Sequence, residues 1–325
     1  MTRALVVTEP GDGSVLQVQD VVVPPPGDGE AQVRVAAVGV NFIDVYKRQG
    51  VYPMTTPFIA GEEGAGVVEA VGSGVTDVKV GDKVAWASYT GSATQLANIP
   101  ADVLVPVPDG LDLETAAAAM LQGMTAHYLV NSTWPVQEGQ IALVHAAAGG
   151  VGQLLVQLIT GKGATVVATA GSDEKLDKAR QLGAQHTINY RNFEGDALAD
   201  EVRRLAGRGV DVAYDGVGRA TFGASLRSLR PRGMGVLFGG SSGQVEPLDL
   251  QVLNRLGSLF VTRPTLGSYL LDREELLWRA EDILGQLADG RLKLEIGGRY
   301  RLDDAAAAYE ALEGRATTGK LLLLP

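Results

Sequence analysis

The chain has 325 residues, 46% hydrophobic and 20% charged, a globular composition long enough for two domains. A net charge of −10 with no basic run argues against nucleic acid and anionic membranes as partners. The absence of cysteine excludes disulfides, thiolate nucleophiles and cysteine–zinc sites.

The first residues, Met1-Thr2-Arg3-Ala4-Leu5-Val6-Val7, read directly as a strand. With no leader pattern and no apolar run of transmembrane length, a cytoplasmic protein is expected. Pro24-Pro25-Pro26-Gly27 is a stiff turn, and residues 31–38, 64–72 and 80–86 read as strands. This part is expected to be a largely antiparallel β domain. Residues 112–130 are alanine-rich and helical, with a break expected near Gly123. Strand and helix then alternate, with strands at 140–144, 164–170, 185–189, 210–215 and 233–238. The intervening helices fall at 173–182, 196–206 and 221–229, the first capped by Ser172. Such alternation implies a doubly wound parallel sheet. A long helix at 274–289 precedes a return to β at 320–324. The fold class is therefore α/β, with residues 123–264 inserted as a dinucleotide-binding domain between 1–122 and 265–325. Substrate is expected to meet cofactor between the two domains.

The strand at 140–144 runs into His145-Ala146-Ala147-Ala148-Gly149-Gly150-Val151-Gly152, and an apolar helix follows from Gln153. Strand, small-residue turn and helix N-terminus form a docking place for a dinucleotide pyrophosphate. Aligned on G-x-G-x-x-G, Ala147 replaces the first glycine, while Gly149 and Gly152 hold the other two places. The next strand ends Thr169-Ala170-Gly171-Ser172, without the carboxylate that selects NAD. Gly171 and Ser172 leave room for a 2′-phosphate, Lys175 supplies charge, and Tyr190 packs over the adenine-side phosphate. NADP(H) is the expected cofactor. Asp173 and Glu174 lie between and add unfavourable charge, or else simply complement the helix dipole, and Lys175 also reads as a solvated helix-face charge.

The loop Gly39-Val40-Asn41-Phe42-Ile43-Asp44-Val45-Tyr46 resembles the G-V-N-F-I-D-x-Y loop of quinone oxidoreductases related to zeta-crystallin. Gly61-Glu62-Glu63-Gly64-Ala65-Gly66-Val67-Val68 resembles the following stretch in medium-chain dehydrogenases/reductases. Residues 146–152, 214–218, 238–243, 261–264 and 314–319 extend the likeness in order along the chain. The resemblance implies a zinc-free, NADPH-dependent reductase with a GroES-like catalytic domain and a Rossmann domain. Zinc-containing relatives carry Cys where Asn41 stands and His where Glu62 stands, so no metal is expected.

By that likeness Tyr46 and Tyr52 line the substrate site, each offering a ring face and a hydroxyl. Asn41 and Asp44 hold the loop and the nicotinamide ribose region, and Thr125 and Tyr128 lie near the nicotinamide. Gly149, Gly150, Val151 and Gly152 take the phosphates. Phe238, Gly239, Ser241, Ser242, Thr262 and Arg263 serve the nicotinamide side, and Arg315 reaches the cofactor from the tail. Packing roles for the tyrosines, carbonyl capping for Arg263 and a solvated loop charge for Arg315 are the alternatives.

The expected reaction is hydride, or electron, transfer from NADPH to a quinone, aided by positioning more than by acid–base chemistry. Reduction of an activated C=C bond in an enone or alkenal is the alternative, and a non-catalytic nucleotide- or RNA-binding role a third. The apolar strand Gly257-Ser258-Leu259-Phe260-Val261-Thr262 suits pairing of Rossmann sheet edges in a homodimer.

Overall fold

A computed structural model describes residues 1–314 and 317–325, which separate into two compact units. One unit contains residues 1–124 and 269–325, the other residues 125–268.

The first unit is mainly antiparallel β. Alternation in strand Glu30–Val40 buries Ala31, Val33, Val35 and Ala37 while Arg34 and Ala36 face outward, the pattern of a strand with one covered face. This strand pairs antiparallel with Glu63–Val71, with Leu96–Pro100 and with the closing strand Lys320–Leu324. Strand Ile296–Arg301 pairs parallel with Lys320–Leu324, so the tail rejoins the sheet begun by the first third of the chain. Leu5, Val33, Val38, Val84, Trp86, Ile99 and Leu323 meet in its core. Trp86 satisfies its indole N–H on Ser92 Oγ at 2.9 Å.

Three local expectations are corrected. Residues 42–48 form a helix, Phe42–Arg48, where a loop was expected. Its signal is the capping-box pair Asn41 and Asp44: the Asn41 N–H donates to Asp44 Oδ2 at 2.9 Å, and the Asp44 N–H donates to the Asn41 carbonyl at 3.2 Å. The helix Leu113–Tyr128 passes through Gly123 unbroken and ends in a π-turn, Leu129–Thr133. Gly123 is there for packing, because a Cβ would stand 2.6 Å from Ile283 Cγ2. The tail also carries a helix, Ala305–Glu313, that buries Ala305, Ala308 and Tyr309.

The second unit is a six-stranded parallel sheet. Its order is His186–Asn189, Thr165–Ala170, Ile141–Val144, Val210–Asp215, Leu229–Leu237, Phe260–Thr262. Val210–Asp215 is buried at every position, as a central strand covered on both faces must be. From Ile141–Val144 the chain first winds to one side, then returns to the other. The reversal falls between Ile141–Val144 and Val210–Asp215, where doubly wound sheets bind ligands at the carboxyl ends of their strands.

Candidate functional site

In the parallel unit, the sequence-selected residues stand at the carboxyl ends of the strands. After Ile141–Val144 the turn bends sharply at Ala146, whose φ of 50° is left-handed for a residue with a Cβ. The unusual backbone angle thus sits one residue before the place aligned with the missing glycine, and Ala147 is an ordinary buried alanine. Gly149 N-caps the helix Gly150–Gly161 without any side-chain cap, so the first amide groups keep the anion-binding character of a helix start. A Cβ on Gly152 would lie 2.3 Å from the Ala146 carbonyl oxygen and 2.8 Å from Ala147 Cα. Only glycine lets this helix pack so closely on the turn. Turn and helix start therefore fit a dinucleotide pyrophosphate.

Behind the turn the strand tips are laced together. His145 Nδ1 lies 2.8 Å from Thr169 Oγ1, and burial pushes the imidazole below its ordinary value, toward the neutral form. Asp215 accepts from the N–H groups of Val217 and Gly218, each at 2.9 Å, and from the Thr221 and Ser225 hydroxyls. That carboxylate shapes the loop after Val210–Asp215.

On the adjacent strand tip, Ser172 caps the helix Asp173–Gln181 by accepting from the Lys175 N–H at 3.4 Å. A Cβ on Gly171 would meet the Tyr190 hydroxyl at 2.7 Å and Arg191 Nε at 3.3 Å. Partial burial, and next the nearby Arg191 charge, push the Lys175 ammonium below its usual value. A second cation, Arg191, thus joins Lys175 and Tyr190, which the sequence had placed at this strand tip. Asp173 is turned aside, accepting from Asn189 Nδ2 at 3.2 Å.

Phe238 packs its ring on Gly216, and Gly239 lies against the Gly216 backbone. The Ser241 N–H donates to Gly216 O at 3.2 Å. Ser242 braces the same loop, with its hydroxyl donating to Val217 O at 2.7 Å and accepting from Ala220 N at 3.0 Å. Thr262 ends the edge strand, and Arg263 donates to the Pro264 carbonyl at 3.2 Å, the capping alternative. Thr125 and Tyr128 are buried on the last turn of Leu113–Tyr128, Tyr128 being 1% exposed and part of the core. Arg315 lies outside the described residues.

In the antiparallel unit, Tyr46 and Tyr52 meet edge to face with centroids 5.9 Å apart, and Phe42 stacks 6.3 Å from Tyr46. Tyr52 is 41% exposed, so this aromatic pair can present a ring to a planar ligand. Asn41 and Asp44 face the interior, 3% and 6% exposed. Asn41 Nδ2 donates to Glu63 Oε1 at 2.7 Å and to Gly39 O at 3.1 Å, while its Oδ1 accepts from Lys320 Nζ at 2.7 Å. Glu62 accepts from Lys47 Nζ at 2.5 Å and from Thr90 Oγ1 at 2.6 Å. Lys320, Glu63 and Tyr309 complete this polar centre; Glu63 falls in the stretch at 61–68 without a role assigned to it, and no local pattern marks Lys320 or Tyr309.

Asp44 Oδ2 accepts from the Asn41 N–H and, at 3.1 Å, from the Tyr309 hydroxyl; its Oδ1 is buried without a hydrogen-bond partner. Burial, and next the Glu62 charge, push this carboxyl up from 3.8 to about 7. Between those pH values the folded chain keeps a proton the unfolded chain has lost, so stability is expected to fall as pH rises through the window. The full difference corresponds to ~4 kcal/mol above pH 7. Asp44→Asn, whose amide oxygen still accepts both bonds, is expected to flatten this fall. Thermal midpoints from about pH 4 to pH 8 check it; a wild-type midpoint that rises with pH would contradict the assignment.

An alcohol dehydrogenase GroES-like domain matches residues 27–109, and a zinc-binding dehydrogenase domain matches residues 150–277. A quinone oxidoreductase of Pseudomonas aeruginosa is 44% identical over 97% of both chains. The chain belongs to the quinone oxidoreductase family of the medium-chain dehydrogenases/reductases. Within this family, the Escherichia coli quinone oxidoreductase complexed with NADPH superposes with a TM-score of 0.96 at 39% identity, covering 99% of this chain and 100% of that one. A 2-haloacrylate reductase of Burkholderia sp is 40% identical over 100% of this chain and 99% of its own.

The wider superfamily also implies zinc, and the residues here do not fit it. Where relatives place cysteine and histidine, Asn41 is turned onto Gly39, Glu63 and Lys320, and Glu62 is committed to Lys47 and Thr90. The ammonium of Lys320 stands at that centre, already engaged by Glu63 and Asn41.

Proposed function

We propose that the chain is an NADPH:quinone oxidoreductase that works without zinc. The observation that carries this reading is the full-length likeness to quinone oxidoreductases, one of them complexed with NADPH. The strand tip that gathers Lys175, Tyr190 and Arg191 in place of a carboxylate supports the choice of cofactor. When bound, NADPH supplies the hydride.

The chain's own residues supply position and hydrogen bonds. The backbone of Gly149, Gly150, Val151 and Gly152 binds the pyrophosphate. Lys175, Arg191 and Tyr190 take the 2′-phosphate over Gly171 and Ser172. Phe238, Gly239, Ser241, Ser242, Thr262 and Arg263, with Thr125 and Tyr128, shape the nicotinamide side, where Ser242 and Tyr128 act as supports. Tyr46 and Tyr52 hold the quinone ring, and a phenol hydroxyl donates to the oxygen that gains charge. Asn41 and Asp44 hold this aromatic segment in place.

The test is NADPH oxidation by the purified protein over a panel of benzoquinones and naphthoquinones, with enones and 2-haloacrylate beside them. Turnover of quinones above all other acceptors is expected. The haloacrylate reductase relative favours a second reading, reduction of an activated C=C bond, and preference for those acceptors would replace the first.

We also infer a cytoplasmic homodimer. The strand Phe260–Thr262 closes the parallel sheet at one edge, with Phe260 55% exposed on it. An uncovered apolar edge strand is a natural pairing surface. The same preparation, fractionated from cells and sedimented before assay, tests both points; a monomer or a membrane-bound pool would refute them.

A further inference from the structure

In the antiparallel unit, Lys320 and Glu63 are 1% and 0% exposed and in direct contact. Glu63 Oε2 also accepts the backbone N–H of Leu121 at 2.6 Å. The Lys320 ammonium donates to Asn41 Oδ1 at 2.7 Å, while Glu63 Oε1 accepts from Asn41 Nδ2 at 2.7 Å. The pair thereby ties together the closing strand, strand Glu63–Val71, helix Leu113–Tyr128 and the residue that caps helix Phe42–Arg48.

A buried ion pair is weak evidence for stability, since well-packed apolar residues often do as well. Its distinctive contribution is to orientation. A side-chain amide can turn over when its partners both donate and accept. Here one partner, an ammonium, can only donate, and the other, a carboxylate, can only accept. The amide of Asn41 has one orientation, which also places Nδ2 on Gly39 O. Asn41 in turn closes the first turn of the helix through Asp44, and Tyr46 lies on that helix. Three buried carboxyl groups, Asp44, Glu62 and Glu63, share this centre with the ammonium groups of Lys47 and Lys320.

We propose that Lys320 is a positioning residue of the quinone-reducing site, its ammonium fixing the Asn41 amide and so the helix that presents Tyr46. The proposal rests on the reading of Tyr46 and Tyr52 as the substrate-holding pair.

The test compares wild type, Lys320→Met and the double variant Lys320→Met with Glu63→Gln. The single variant strands a buried carboxylate and is expected to lower the thermal midpoint. The double variant is a neutral pair of similar volume and is expected to regain it. In the double variant the glutamine must use its oxygen on the Leu121 N–H, so its amide group faces Asn41 Nδ2, and the Asn41 amide loses both charged partners that fix it. Turnover of a benzoquinone is therefore expected to stay about 10- to 100-fold low, while the dissociation constant for NADPH is unchanged. Recovery of both midpoint and kcat would overturn the proposal and leave Lys320 a purely structural residue. The side-chain amide signals of Asn41 in labelled protein give a second readout independent of activity, and unchanged signals in the double variant would also overturn it. A wild type that reduces no quinone refutes the enzymatic reading, and those signals still decide whether Lys320 orients Asn41.

Discussion

Gly152→Ala is expected to weaken NADPH binding about 10- to 100-fold, the equivalent of the ~1–3 kcal/mol that overpacking costs. The added Cβ would stand 2.3 Å from the Ala146 carbonyl oxygen and 2.8 Å from Ala147 Cα. Both are backbone atoms, so no rotamer can give way. Either the helix start moves off the turn or the turn itself distorts. The turn has little slack, because Ala146 already holds a left-handed φ of 50°. Moving the helix withdraws its amide groups from the pyrophosphate, which is why the loss should appear in affinity and not only in stability. Gly161→Ala, at the far end of the same helix, meets nothing within 4 Å and is the control. Titration of cofactor fluorescence checks the pair. Equal affinities for the two variants would mean that the turn does not bind the pyrophosphate.

The second large effect is on the choice between cofactors. Replacing Lys175 by alanine is expected to weaken NADPH about 10- to 100-fold and NADH hardly at all, since a charge-assisted hydrogen bond is worth ~1.5–3 kcal/mol. Arg191→Ala should act in the same direction. Arg191 Nε lies 3.3 Å from the position of a Cβ on Gly171, and its charge is felt at Lys175. The double variant should lose most of the preference for NADPH. The two changes should not add fully, because the residues address one phosphate. A double variant that weakens NADPH and NADH alike would show that neither cation sees the 2′-phosphate. The ratio of the two dissociation constants is the deciding quantity, because it cancels any general loosening of the strand tip.

Much of the nucleotide-binding unit is written locally. Ile141–Val144, the small-residue turn and the apolar helix after it are adjacent in sequence, and the helix cap at Ser172 stands where its residue type says it should. Other features carry a weak local signal or none. Asn41 and Asp44 form a capping box three residues apart, yet the segment passed for a loop because its helix is only 7 residues long. Gly123 reads locally as a helix breaker because its reason, Ile283, lies far along the chain. Arg191 carries no local signal beside Tyr190, because nothing in its neighbours says that it turns back over Gly171.

The sequence by itself determined the alternation of strands and main helices in the parallel unit, the glycine-rich turn, the strand tip without a carboxylate and the absence of cysteine. These follow from residue type and short-range periodicity, which act over a few bonds of chain. Tertiary structure alone decided the polar centre. Lys320 and Glu63 are 257 positions apart, and Tyr309 and Asp44 are 265 apart. A lysine near the end of a chain ordinarily reads as a solvated charge. Only the antiparallel pairing of Lys320–Leu324 with Glu30–Val40 puts its ammonium where water cannot reach and where a carboxylate and an amide must answer it.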